Sequence, residues 1–254
     1  FLINLVQKSK SKNIMKKILL CIFLFCFLNS YAQYTQQWVD RLNGTANSYD
    51  IANNMYLDSQ GNVYIYSTLS NTGSQTDICA VKYSASGQML WKFVYNGPSS
   101  NLDQFQDVYK DSQNFSYITG YTNDSNIIKH VLLKLNPLGD TVWTRINSIS
   151  NHENLISRSV CVDNSGNIFV AADARNLTSG MTDFVLMKFN ASGNLINQKI
   201  YAAPSNCSYN SVKALCDASG NIFAGVNFSQ APNGFDIEVF KFDNNLGEIF
   251  LKRI

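Results

Sequence analysis

The chain has 254 residues, 45% apolar and 15% charged, with 14 Gly and 4 Pro. That supplies a core and excludes a disordered or collagen-like chain. A net charge of +2, from 20 basic and 18 acidic residues, excludes a strongly basic nucleic-acid surface. With only two histidines, His130 and His152, a histidine-rich metal centre is disfavoured.

Residues 1–14 precede a start-like Met15 and read as translated upstream sequence. Lys16 and Lys17 then lead into an apolar run over 18–28 and the ending Asn29-Ser30-Tyr31-Ala32. A basic start, a short apolar stretch and a small-x-small ending predict a secretory signal peptide over 15–32, cut after Ala32. The run is too short for the roughly 20 residues of a membrane span. The expectation is a secreted or outer-surface protein with no membrane span after cleavage. Residues 1–32 carry five lysines and no acid, so the remaining chain holds 15 basic against 18 acidic residues. Nucleic-acid binding is not expected of it.

Cys21 and Cys26 leave with the leader; Cys79, Cys161, Cys207 and Cys216 remain, with no C-x-x-C pair. Cys79 and Cys161 sit in apolar strand-like runs, so buried free thiols are expected. A Cys207–Cys216 bridge is the alternative that export would allow.

From about residue 49 the chain repeats itself. The turn Asp58-Ser59-Gln60-Gly61-Asn62 recurs at Asp111, Asp163 and Asp217. A second column is Lys82, Lys134, Lys188, Lys241, and a third is Gly87, Gly139, Gly193, Gly247. Three columns at one spacing of roughly 50 residues indicate propeller blades. In the first unit, strand-like runs cover 51–57, 63–69, 78–83 and 89–95, separated by Asp/Asn/Ser/Gly turns. Nothing after the leader has helical periodicity. The predicted fold is all-β, a β-propeller of four-stranded antiparallel blades over 33–254. About four blades are present in an incomplete ring, with units at about 49–101, 102–154, 155–208 and 209–254. Residues 37–44 resemble 90–97 and read as a closing fourth strand. Fourth-strand types then outnumber first-to-third sets, five to four, so a further three-strand set is expected beyond Ile254.

The columns have structural readings. The Asp turn lacks the closing Glu of a calcium loop; the Asp caps the turn and Gly or Asn accepts positive φ. Each column Lys is expected to pack its stem on apolar surface with the ammonium in water. Trp38, Trp91 and Trp143 are expected to wedge between adjacent blades rather than stack a ligand. Asp77, Asp183 and Asp236 share a column, with Lys129 in the second unit, and suggest turn capping.

The units VDNSGNIFVAAD…DFVLMKFNASGN and LDSQGNVYIYST…DICAVKYSASGQMLW resemble the seven-bladed β-propeller repeat of exported bacterial proteins, from about Gln37 to Ile254. The resemblance implies architecture and export; it says nothing of activity. SGQMLW and LGDTVW also resemble the G-x-x-x-W docking motif of quinoprotein propellers, but the third and fourth units lose the Trp.

No nucleophile elbow, HExxH or P-loop occurs. His130 reads as a strand residue and His152 as a solvated residue of the polar link 148–154. The chain is therefore expected not to be an enzyme, with no cofactor, metal or catalytic residue. It would be a binding or display scaffold for a protein or glycan partner. The alternative is the propeller domain of a secreted hydrolase or quinoprotein-like enzyme. Four equivalent, dissimilar loops, 70–76, 123–129, 176–182 and 229–235, are the candidate binding surface. Their candidate residues are Asn71, Thr72, Ser74, Asn123, Asp124, Asn126, Asn176, Thr178 and Asn233; ordinary solvent-exposed loops are the competing reading.

Overall fold

Alternating β-branched, aromatic and polar residues between Asp/Gly turns make strands, and the described residues contain sixteen. The computed structural model describes residues 36–217, 219–230 and 234–254. The upstream segment, the signal-peptide segment and Asn233 lie outside them. The chain divides into Phe1–Val39 and Asp40–Ile254, and every strand belongs to the second part.

The first blade holds β1 (Ile51–Leu57), β2 (Val63–Asn71), β3 (Gln75–Tyr83) and β4 (Met89–Tyr95). The second holds β5 (Asp103–Lys110), β6 (Ser116–Asp124), β7 (Ile127–Leu135) and β8 (Thr141–Asn147). The third holds β9 (His152–Val162), β10 (Ile168–Asn176), β11 (Thr182–Phe189) and β12 (Leu195–Tyr201). The fourth holds β13 (Cys207–Cys216), β14 (Ile222–Gln230), β15 (Gly234–Phe242) and β16 (Glu248–Arg253). Each blade is a separate antiparallel sheet with its strands in chain order. β9 begins inside the expected 148–154 link, so the third unit starts earlier than its sequence suggested.

Residues 37–44 form no strand. Instead, Gly44 N donates to Asp50 Oδ2 at 2.9 Å and Ala46 N donates to Ser70 O at 3.1 Å. Residues 44–46 are thereby tied to the end of the first blade where Asp50 and Ser70 lie.

Both faces of an inner sheet are buried, and three apolar clusters fill the gaps between successive blades. Tyr66 and Ile78 pack against Phe105 and Ile118, Leu132 against Val170 and Phe189, and Phe184 against Phe228 and Phe240. The first strands β1, β5, β9 and β13 lie side by side along the inner edge. Each has a register shift, between Ala52 and Asn54, Phe105 and Asp107, and Ser157 and Ser159 at one repeat position, and between Asn210 and Val212 one residue earlier in the fourth. A bulge breaks the two-residue alternation and re-aims the side chain that follows. In β5 it leaves Phe105, Asp107 and Val108 all buried.

The repeated columns behave largely as their chemistry dictates. Asp58 Oδ1 accepts from Gln60 N at 3.0 Å and Asn62 N at 2.9 Å. Burial opposes ionisation, but the Asn62 and Gln60 hydrogen bonds and Lys82 outweigh it and hold Asp58 at about 2. Gly61 has φ 77°, and Asn114 takes the same place in the second unit at φ 68°, as a residue tolerant of the left-handed region can. In the fourth unit the left-handed residue of the last turn is Leu246, φ 66°, so the Gly247 column slips by one. Trp91 Nε1 donates to Pro137 O of the next blade at 3.1 Å, and a Cβ on Gly139 would stand 2.7 Å from the Trp91 ring. Trp143 sits likewise against Gly193. These are the expected wedges. The column lysines stay closer to protein than expected. Lys82 pairs with Asp58 at 3.4 Å, Lys134 lies 4.8 Å from the Phe115 and Tyr117 ring centres, and Lys188 is buried. Its ammonium donates to Asn244 O of the next blade at 2.7 Å.

Candidate functional site

The bulges place a polar knot on the inner strands. Asp107 Oδ2 on β5 accepts from Ser159 Oγ at 2.8 Å and Val160 N at 3.1 Å, both on β9. Lys213 Nζ on β13 reaches the same oxygen at 2.9 Å. Ala214 N donates to Ser159 Oγ at 3.1 Å, so the knot spans three blades. Beside it, Cys161 on β9 and Cys216 on β13 form a disulfide, Cα–Cα 5.9 Å. This corrects the expectation of a free Cys161 and of a Cys207–Cys216 bridge. The two cysteines lie nearly one repeat apart, which sets them at one level on neighbouring inner strands. Cys79 and Cys207 are free and buried.

Above the knot lies a cavity of about 420 Å³. All four inner strands contribute, and its walls include Asn54, Tyr56, Tyr109, Asn164, Asp107 and Lys213, with the disulfide at its side. The Tyr56 hydroxyl donates to Val108 O at 3.0 Å, and burial with the Asp107 charge raises its pKa. The cavity combines phenol rings, amide groups, a carboxylate and an ammonium, which can stack on and hydrogen-bond a polar ligand. None of these residues was singled out from the sequence. The one usable signal was the spacing of Cys161 and Cys216, close to the repeat length.

The candidate loops lie at the other ends of the strands. Asn71 Nδ2 and Ser74 Oγ donate to Asp77 Oδ2 at 2.6 and 2.8 Å, and Asn71 Oδ1 accepts from Thr45 N at 2.9 Å. Asn176 Nδ2 donates to Asp183 Oδ2 at 2.8 Å. Asp124 accepts from Ser99 Oγ at 3.0 Å and pairs with Lys129 at 2.8 Å. Thr178 Oγ1 accepts from Asn151 Nδ2 at 3.0 Å. The Asn123 side-chain oxygen is buried. Asp77 and Asp183 therefore cap their loops as expected. Thr72, Asn126 and Thr178 are exposed to solvent. A second cavity of about 470 Å³ opens between the loops of the third and fourth blades, beside Met181 and Phe235.

His130 is a buried strand residue, bonded through Nδ1 to Ser157 Oγ and 5.6 Å from the Phe189 ring centre. Burial drives its pKa down to about 3. His152 corrects its expectation: it is not solvated but donates through Nε2 to Asp183 Oδ2 at 2.9 Å, its side chain 7% exposed.

With this geometry the described residues form an all-β fold of four antiparallel four-stranded sheets, and its likeness to solved structures is to propeller-like proteins. No protein-family model matches it, and no curated protein does. A protein of unknown function from Dyadobacter fermentans is 11% identical, TM-score 0.54, over 78% of this chain and 67% of its own. An ulvan lyase of polysaccharide lyase family PL25 is 10% identical, TM-score 0.51, over 78% of this chain and 56% of its own. An endo-arabinase from Bacteroides thetaiotaomicron is 13% identical, TM-score 0.47, over 78% of this chain and 74% of its own. This chain thus spans little more than half the length of the ulvan lyase. The expectation that the chain is not an enzyme is corrected here. The fold it shares is also the fold of a polysaccharide lyase, so lacking a familiar catalytic motif does not exclude catalysis.

Proposed function

We propose that this is an exported propeller that binds a polysaccharide in the cavity along its inner strands. The observation that carries the reading is the cavity lining. Tyr56 and Tyr109 offer rings for sugar C–H faces, and Asn54, Asn164 and Asp107 offer hydrogen-bonding groups for hydroxyls. Export is supported by the leader pattern at 15–32 and by the Cys161–Cys216 disulfide, which belongs to oxidising compartments. The likeness of its units to the seven-bladed repeat of exported bacterial proteins agrees with this. The exposed Thr72, Asn126 and Thr178 form a second, shallower surface for a protein or glycan partner.

An array of neutral and acidic polysaccharides, followed by calorimetric titration of the hits, tests the reading. Binding should fall at least tenfold in Tyr109→Ala and in Asn54→Ala while the fold is kept. No binding to any polysaccharide, or binding indifferent to both substitutions, would overturn it. A second reading, that the bound chain is also cleaved, is favoured by the phenol of Tyr56 beside the buried Asp107 carboxylate. Release of new chain ends from a bound polysaccharide is its test.

A further inference from the structure

Blades one and two meet across a polar chamber where the corresponding places in the third and fourth blades are apolar. Asp103 on β5 faces Thr122 on β6, and both are fully buried. The repeat puts Leu155 and Ala174 at these positions in the third blade, and Tyr209 and Phe228 in the fourth. A third buried group, Asp77 on β3, stands across the junction, 3% exposed. Among the described residues, no Lys, Arg or His forms an ion pair with Asp77 or Asp103. Two buried carboxylates without a counter-charge are costly to hold.

Thr76 at the start of β3 bridges to Leu102 before β5, which brings their chain neighbours Asp77 and Asp103 to one junction. Asp103 Oδ2 accepts from Gly97 N at 2.6 Å and the Thr122 hydroxyl bonds the Asp103 carboxyl, whereas Asp77 Oδ1 has no hydrogen-bond partner. A Cβ on Gly97 would stand 2.2 Å from Thr122 Oγ1 and 2.5 Å from Asp103 Oδ1, so both oxygens crowd the bare α-carbon of Gly97. Two repeats on, Asp183 is the counterpart of Asp77 and Ala203 that of Gly97. There the Ala203 N–H donates to Asp183 Oδ1 at 2.8 Å. Here the Gly97 N–H is taken by Asp103, and Asp77 Oδ1 is left without a partner. Burial, against the Thr122 and Gly97 hydrogen bonds and with the Asp77 charge, pushes the Asp103 carboxyl up to about 6.

We infer that the junction of blades one and two binds a calcium ion through Asp77, Asp103 and the Thr122 hydroxyl. Calcium takes hard oxygen ligands in adaptable geometry, and two carboxylates balance its charge. Zinc is disfavoured, because neither His nor Cys is among these donors and no trio of His, Cys, Asp and Glu gathers among the described residues. Peptide carbonyls and water complete the shell. The ion ties β3 to β5 and so staples one blade to the next, a structural role separate from the inner cavity.

The test is calorimetric titration of the metal-stripped full chain with calcium chloride at pH 7.5, with thermal unfolding in chelator, calcium and magnesium. One calcium per chain and a rise of about 5 °C in 2 mM calcium, not matched by magnesium, are expected. Asp77→Asn and Asp103→Asn should each abolish both, and Thr122→Val should weaken binding at least tenfold. No calcium heat and no shift in the wild type overturns the inference without reference to any variant. So does an undiminished calcium response in the Asp77→Asn/Asp103→Asn double variant. Stabilisation of Asp103→Asn in chelator, in a protein indifferent to calcium, would instead mark the pair as two carboxyls sharing a proton.

Discussion

Lys213 on β13 reaches past β9 to place its ammonium 2.9 Å from Asp107 on β5, so one ion pair ties the second blade to the fourth. Its two ends differ. The Lys213 side chain is 66% exposed and that of Asp107 only 7%, and Asp107 also holds Ser159 Oγ and Val160 N. Lys213→Ala should therefore cost less than about 1 kcal/mol, as an exposed partner does. Asp107→Ala strips the buried Val160 N–H of its carboxylate and leaves Ser159 Oγ only a long contact to Ala214 O at 3.4 Å, and should cost about 2–4 kcal/mol. Urea unfolding of both variants measures the asymmetry; equal losses would contradict it.

The disulfide between Cys161 and Cys216 closes a loop of 55 residues. On the chain-entropy account it contributes about 4 kcal/mol. Reducing agent, or the Cys161→Ala/Cys216→Ala double variant, should lower the unfolding midpoint clearly. Non-reducing peptide mapping should recover a Cys161–Cys216 cross-link with Cys79 and Cys207 alkylated. A Cys207–Cys216 peptide would refute the assignment.

His130 gives the fold an acid-sensitive limb. Its folded pKa of about 3 lies below the ordinary histidine value of 6.5. Below pH 6.5 the unfolded chain binds a proton that the native chain refuses. The contribution is thus complete above pH 6.5 and shrinks as pH falls toward 3, by at most about 1.4 kcal/mol per pH unit. His130→Leu, resembling the apolar residues of the same column in other blades, should flatten stability between pH 6 and 4. An unchanged acid limb in that variant would count against the buried, neutral imidazole.

Trp91 and Gly139 fit only as a pair. Trp91→Ala should cost about 2 kcal/mol or more by emptying the wedge between blades. Gly139→Ala forces a side chain into φ +87° and against the indole, at about 1–2 kcal/mol for the backbone alone. In the double variant the steric part of the Gly139 cost should vanish, so the losses should sum to less than additivity. Additive losses would mean the contact carries no coupling.

How much of this was legible differs by kind of feature. The turns after Asp58, Asp111, Asp163 and Asp217 were readable because a carboxylate bonding its own backbone is a local interaction that any copy of the motif repeats. The Trp91 wedge was readable from a column of residue types. His152 was not: its partner Asp183 lies on another strand of the same blade, across a boundary the sequence placed too late. Nor was the knot of Asp107, Ser159 and Lys213, because bulges in β5 and β9 shift the alternation from which inward-facing residues are read.

By itself, the sequence determined the repeat, the strands and the order of blades, because each depends on patterns within about 50 residues. Only the tertiary structure decided which first strands lie side by side, and hence that Cys161 meets Cys216 and Lys213 meets Asp107. Those pairings join residues one or two repeats apart. Nothing local favours one partner over another until packed blades bring a single pair of side chains within bonding distance.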